Sequence, residues 1–557
     1  MLSGTRLFAS RIVGVGAALI LCSVASPAQD TAPTKSAVPA RNFRIAGTIV
    51  NGRTGAPLEE ARVTIQNTKS RATVGSVVTG EDGRFEFTQL PGGKYGLQGA
   101  KRGFLPGSYE QHEQFSTAIV TGPEFQTENL VLRLTPMAVI SGHIFDEAGD
   151  PVRSAQVVLY AEQNGGGMSR IMRFGTATSD DRGYYDFFLL RPGNYFLSAA
   201  AKPWYAIHPT IGVDGADNSQ QHIPAGLDVA YPTTFYNGTI DADEATPIAL
   251  KGGDHAEIDL RLNPVPSLHL IFRVPEDQQG FDTPILQKHV FDSVEPVDSG
   301  EERSLAPGVF EFTGIPAGRY TIRARNPSSG EMEQAGDVEL LHNGQELNST
   351  RGEPVGSVKV TVRMPGQESM PKQLAIAVLD SRPRAVAVKR ADASGEASFD
   401  DLVPGKYWLM VASPTKPYFV ARSTSQNGET LGHELNIVPG TNLELTAFVL
   451  GGVVSVEGVV NKAGKPLAGV MVVLVPKDPE AHIELFRRDQ SDFDGTFLVP
   501  NVVPGTYTIV AVEDAWGFDW LKPGILARYV QHGQELTISE HMQGSVYLPD
   551  PVEVQPR

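Results

Sequence analysis

The chain has 557 residues, 41% of them hydrophobic, and a formal charge of −17. It is too long for one core and apolar enough for several ordinary domains. Its acidic balance disfavours nucleic acid and anionic membranes as partners through long-range repulsion.

Arg6 and Arg11 precede an apolar run from Ile12 to Val24, and Ser26, Pro27 and Ala28 follow it. This is the pattern of a secretory leader, so residues 1–28 are expected to be a signal peptide. Cys22, the single cysteine, lies within it. The exported product would then have no disulfide, its charge would be −19 without the two arginines, and packed cores alone would hold its domains. Beyond the leader no apolar run is long enough to span a membrane. Residues 29–41, rich in Pro, Ala, Thr and Ser, read as a flexible tether.

The first strand pattern is Phe43 to Val50, broken by a turn at Asn51 to Gly55 and resumed from Ala61 to Ile65 with the alternation of a half-buried strand. Gly142 to Asp146, a Gly149-Asp150-Pro151 turn and Ala155 to Leu159 repeat the arrangement, as do Gly458 to Asn461, Gly464-Lys465-Pro466 and Gly469 to Val473. Proline in these turns has a preset φ and no N–H to give a central ladder, which places it at a sheet edge or end.

A cassette follows each opening. A glycine is followed after twelve positions by a tyrosine that closes a Pro-Gly turn, in the pairs Gly83 and Tyr95, Gly183 and Tyr195, Gly308 and Tyr320, Gly395 and Tyr407, and Gly495 and Tyr507. The tyrosines are 100, 125, 87 and 100 residues apart, the length of a small domain rather than of a solenoid repeat. Phe85 with Phe87, and Tyr95 with Leu97, fall on one strand face at period two, which predicts that the rings point into a core. Polar turns at 252–255, 343–346 and 532–535 are expected to introduce the last strand of their units. Short strands at regular intervals, without amphipathic helix, predict an all-β chain of five antiparallel sandwiches at 42–135, 136–263 (with a long loop extension), 264–350, 351–450 and 451–557.

The sequence of Gly-x-Pro, Ala-x-Val, Asp-Gly-x-Phe and Pro-Gly-x-Tyr resembles the carboxypeptidase regulatory-like domain, a transthyretin-like β-sandwich also grouped with carbohydrate-binding-like and collagen-adhesin B-type folds. Units one, two and five carry nearly all of the pattern, while units three and four keep the cassette and lack the opening turn. The resemblance implies a non-catalytic accessory module.

No catalytic residue is predicted. The chain has no nucleophile elbow and no phosphate-cradling glycine loop. His532 and Glu535, with His541 nearby, formally match a zinc-ligand spacing but occupy a turn before a strand, and Asp489, Asp492 and Asp494 before Gly495 read as a structural turn rather than a calcium loop. No metal or cofactor is expected.

Aromatic clusters outside the cassette are the binding candidates: Trp516, Phe518, Asp519 and Trp520 in unit five, and Trp204, Tyr205, Phe235 and Tyr236 in unit two. Flat rings beside carboxylates suit a sugar, whose apolar face stacks while its hydroxyls donate to the acids. The competing reading is that the rings plug sandwich ends or seams between units. The expectation is an exported, non-enzymatic binding or scaffold protein of a bacterial envelope, located in the periplasm, at the outer surface or outside the cell, with a glycan or another envelope polymer as partner. A purely structural stalk or protein-assembly module, and an accessory subunit of a separate peptidase, are the alternatives.

Overall fold

A computed structural model describes residues 42–557, apart from short stretches of which the longest are 210–223, 275–283, 326–331, 350–355, 365–370 and 380–384. The leader and tether expected at 1–41 lie outside the described residues.

All five cassette glycines have φ between +66° and +85°, a region that a side chain makes costly. The turn they permit aims the glycine carbonyl at the opening strand of the same unit. It accepts from Ile49 N (2.9 Å), Ile144 N (2.9 Å), Val274 N (2.7 Å), Val362 N (2.8 Å) and Val460 N (2.8 Å) in successive units. In units one, two and five the proline of the opening turn packs over this glycine, so that a Cβ built there would lie 2.9, 3.3 and 2.8 Å from the Cβ of Pro57, Pro151 and Pro466. Gly-x-Pro and the cassette glycine are therefore two halves of one contact.

Twelve residues on, the tyrosines are buried, with 1 to 8% of their surface exposed. Four of the phenols donate to the carbonyl four residues earlier, Pro91, Arg191, Pro316 and Val503, at 2.7 to 2.9 Å. Each ring thus fills the core while its polar end satisfies the turn that introduces it, which is how a buried tyrosine avoids a desolvation penalty.

Five β-sandwiches result, each around its own hydrophobic core. In every unit the opening strand is central to one sheet. Phe43–Asn51 pairs antiparallel with Arg84–Leu90 and parallel with Leu130–Leu134. The same placing recurs for Ala138–Phe145, Leu268–Arg273, Gly356–Arg363 and Val454–Lys462. The opposing sheet pairs the strand that carries the cassette tyrosine with the second strand of the unit, as in Gly93–Ala100 with Arg62–Asn67 and Gly505–Val512 with Met471–Pro476.

Unit five departs from the sequence expectation at its end. The strand after His532, Gln534–Ile538, joins the opposing sheet and is not terminal. Gly544–Tyr547 and Val552–Gln555 follow it and run parallel to Val454–Lys462. A four-residue helix, Ala527–Val530, and a 3₁₀ turn, Ala515–Gly517, sit in the preceding loop.

Candidate functional site

The aromatic loop of unit five lies in a seam with unit one, about 400 positions away in sequence. Unit one contributes the segment from Glu110 to Ala118, whose small hairpin is closed by reciprocal bonds between His112 and Phe115 at 3.0 and 2.9 Å. His112 stacks on Trp516, with ring centroids 4.9 Å apart and planes 6° from parallel, and Phe115 leans on the same indole at 5.7 Å. The Trp516 Nε1–H donates to the Gly469 carbonyl at 3.1 Å. Beneath them Arg488 forms a two-pronged ion pair with Glu113, Nη1 to Oε1 at 3.0 Å and Nη2 to Oε2, in which only 6% of the arginine side chain is exposed. Its guanidinium also lies over Phe115 at 5.2 Å and Trp520 at 4.9 Å. A desolvated guanidinium with a planar carboxylate partner and ring faces above it satisfies every requirement for burying that charge.

The same seam absorbs the acidic turn. Lys94 of unit one reaches Asp492 Oδ2 at 2.6 Å, Asp494 Oδ1 at 3.4 Å and the Thr496 hydroxyl, so the position where a cation would sit holds an ammonium. Asp492 Oδ1 accepts from Ala118 N at 2.9 Å, the Ala118 carbonyl accepts from Phe493 N at 3.0 Å, and the Phe493 ring packs against the core of unit one. Asp489 accepts from Leu498 N at 2.7 Å, yet burial pushes its carboxyl up to about 6. Burial also raises Asp492 above the usual carboxylate range, against the pull of Lys94. Glu110, Glu113 and Asp514 have φ of 45°, 52° and 51°, so backbone strain concentrates where these loops dock.

Trp520 is 6% exposed and packs against unit two, where a Cβ on Gly167 would come within 2.4 Å of its ring. Asp519 accepts from Ser169 N of unit two at 3.0 Å and pairs with Lys522 at 2.5 Å, while Phe518 lies between Tyr529 and the Arg557 guanidinium. Phe235 is fully buried between Tyr160 and Phe291, the latter a residue of unit three, and Tyr236 is half-buried against the core of unit two. Of the two predicted aromatic clusters, Trp520 in unit five and Phe235 in unit two are thus buried in packing and offer no open ring face to a sugar. Trp204 differs: 88% of its surface is exposed. Beside it the Tyr205 and Tyr231 hydroxyls both donate to the Glu147 carboxylate, Tyr231 at 2.6 Å. Burial opposes ionisation of Glu147, but the two phenols outweigh it and hold the carboxyl below its usual range.

Unit two meets unit three differently. Phe291 inserts among Tyr160, Phe196 and Phe235, Arg173 pairs with Glu295, and Ile171 exchanges bonds with Asp292 at 2.9 and 3.2 Å. A buried chain of His208, Asp228, His269 and Glu311 continues the contact at 3.0, 3.4 and 3.1 Å. Between these contacts a cleft of about 970 Å³ stays open, lined by residues of both units.

Residues 44–135 and 139–224 match the family model of the carboxypeptidase regulatory-like domain. The chain carries this domain in two copies. No curated protein matches the chain. Among solved structures it is similar to the Bacillus anthracis TIE protein, 13% identical over 75% of this chain and 76% of that one with a TM-score of 0.18. It is also similar to BcpA, the major pilin subunit of Bacillus cereus (10% identical, 73% and 99% covered, TM-score 0.15), and to two B repeat units of the Staphylococcus aureus collagen-binding protein (12%, 73% and 99%, TM-score 0.12).

The two regulatory-like domains are units one and two, and both give surface to the seams with unit five. Sequence reasoning missed Arg488, Glu113, His112 and Lys94. Nothing local marks them, since each acquires its role only when unit five docks on the first regulatory-like domain. The spacing of His532, Glu535 and His541 brings no site together: all three side chains are exposed.

Proposed function

We propose that this chain is an exported, non-catalytic scaffold whose tandem sandwiches are locked to one another rather than loosely jointed, and which serves as a binding protein of a bacterial envelope. The observation that carries this reading is the Arg488 to Glu113 ion pair buried under Trp516 and Trp520. A pair so desolvated costs several kcal/mol when one partner is removed, so it favours a single docked arrangement of units one and five. Export is supported by the leader pattern of residues 1–28.

Since the chain has one cysteine, Cys22, spin or fluorescent labels can be placed on cysteines introduced at the exposed Val78 and Leu498 in a Cys22-free protein. A single narrow distance distribution between the two labels is expected, broadening in Arg488→Ala. A broad distribution in the parent would overturn the scaffold reading, and chelator-sensitive peptide hydrolysis by the purified protein would overturn the non-catalytic one.

A second reading, carbohydrate binding, is favoured by the exposed Trp204 ring beside a hydrogen-bonded carboxylate. A glycan array with the parent protein and Trp204→Ala tests it. Retention of no glycan by the parent would remove this reading and leave the purely structural one.

A further inference from the structure

The cleft between units two and three is lined in part by Tyr160 and Phe291, whose rings pack against each other across the junction. At about 970 Å³ it is at the upper end of small-ligand sites, which run roughly from 300 to 1,000 Å³. Most of its charged lining is already engaged: Arg319 with Glu339 at 3.4 Å, Glu295 with Arg173, and Asp337 with the Thr321 hydroxyl and the Gln334 amide, both at 2.6 Å. Three groups remain. Lys288, on Ile285–Val290, makes no ion pair or hydrogen bond among the described residues, and burial holds its ammonium below the usual range, with Asp241 acting against the shift. Asp241 caps the 3₁₀ turn Ala242–Glu244 by accepting from Asp243 N at 3.0 Å through one oxygen, and both Asp241 and Asp243 line the cleft, the second Asp241 oxygen and the Asp243 carboxylate having no bond among the described residues.

An ammonium beside carboxylates is a donor set next to an acceptor set. A vicinal diol has the reciprocal pattern, because each hydroxyl both donates and accepts, and bonds to charged partners are the strong ones. A polyanionic ligand is opposed by the acidic residues of the same wall and by the net charge of the whole chain. A peptide that pairs along a strand edge is recognised through backbone groups, whereas the three unengaged groups of this lining are side chains.

We propose that this cleft is a binding site for a neutral oligosaccharide, with Lys288 donating to, and Asp241 and Asp243 accepting from, adjacent hydroxyls of one sugar ring. The inference rests on the carbohydrate reading above and moves the site from the aromatic residues to the junction of units two and three. Binding is then independent of ionic strength, since the ligand carries no charge.

The test is calorimetric titration of the full chain with cellotriose, mannotriose and chitotriose, and with oligogalacturonate as the anionic comparison. At least one neutral trisaccharide is expected to bind with an affinity unchanged by salt, and Lys288→Met and Asp243→Asn are each expected to weaken it at least about tenfold. Thermal unfolding identifies either variant that fails to fold, in which case the other decides. Binding that survives both substitutions overturns the cleft, and if Trp204→Ala abolishes that binding the carbohydrate reading stands without it. No binding of any saccharide by the parent overturns both. Preference for oligogalacturonate overturns the neutral class.

Discussion

The contact of units one and five and the contact of units two and three use the same materials to opposite ends. In the first, Arg488, Glu113, Trp516 and Trp520 close on one another, and Lys94 fills the space between Asp492 and Asp494. In the second, Phe291 and the Arg173 to Glu295 pair join the units, while Lys288, Asp241 and Asp243 line a cleft that stays open beside them. Charges that are paired and covered contribute a fixed arrangement; charges that are positioned but unmet leave recognition available.

The comparison requires that each unit be an independent core, and the largest effect tests that. Tyr507→Ala removes a ring that is 1% exposed and its bond to Val503, and should cost about 3 to 5 kcal/mol. Chemical denaturation would show it as the early unfolding of unit five. Retention of stability within about 1 kcal/mol would mean that the cassette is not what holds the sandwich.

Breaking the closed seam comes next. Arg488→Ala leaves Glu113 without its partner and should cost about 3 kcal/mol or more, read as detachment of unit five in the label-distance experiment and as new protease sensitivity near Glu113.

Asp489→Asn sharpens the same seam through pH. Its folded carboxyl lies near 6, above the 3.8 of an unperturbed aspartate, so the native state favours the proton and stability falls as pH rises through that window. The neutral variant, which can still accept from Leu498 N, is expected to be about 1 to 3 kcal/mol more stable than the parent at pH 7 and equal to it below pH 3.8. Paired denaturation curves at the two pH values check it, and a gain of the same size at both would refute the assignment to burial.

The smallest effect is expected where units one and two meet. Arg53 donates to the Gly252 carbonyl at 2.8 Å and pairs with Asp254, but about half of its side chain is in water, so Arg53→Ala should cost under about 1 kcal/mol. A loss as large as that of Arg488→Ala would show that exposure does not separate the two seams.

The sandwiches were legible because their signal is local. A positive-φ glycine, the strand after it and a tyrosine bonded to the carbonyl four residues back lie within thirteen residues, Gly83 to Tyr95 in the first unit, and the chemistry that selects them does not depend on the rest of the chain. The seams were not. Arg488 and Glu113 are separated by 375 positions, and either alone reads as a solvated charge. The Trp516 to Trp520 loop is legible as a cluster of rings beside carboxylates, but a ring face that suits a sugar suits His112 and Arg488 equally well, and sequence does not say which arrives. The ending of unit five was misplaced for a related reason: Gln534–Ile538 and Val552–Gln555 both follow polar turns, and only tertiary pairing distinguishes the sheet each one joins.

One property of the sandwiches bears on how such a chain behaves under tension. In each unit the opening and closing strands lie side by side and point the same way, Gly47 opposite Leu130 through Asn51 opposite Leu134 in the first. A pull applied through the two ends of a unit slides these neighbours lengthwise past each other, so their hydrogen bonds must give way together instead of unzipping one at a time. Stretching a single chain should accordingly show discrete, high-force ruptures, one for each sandwich.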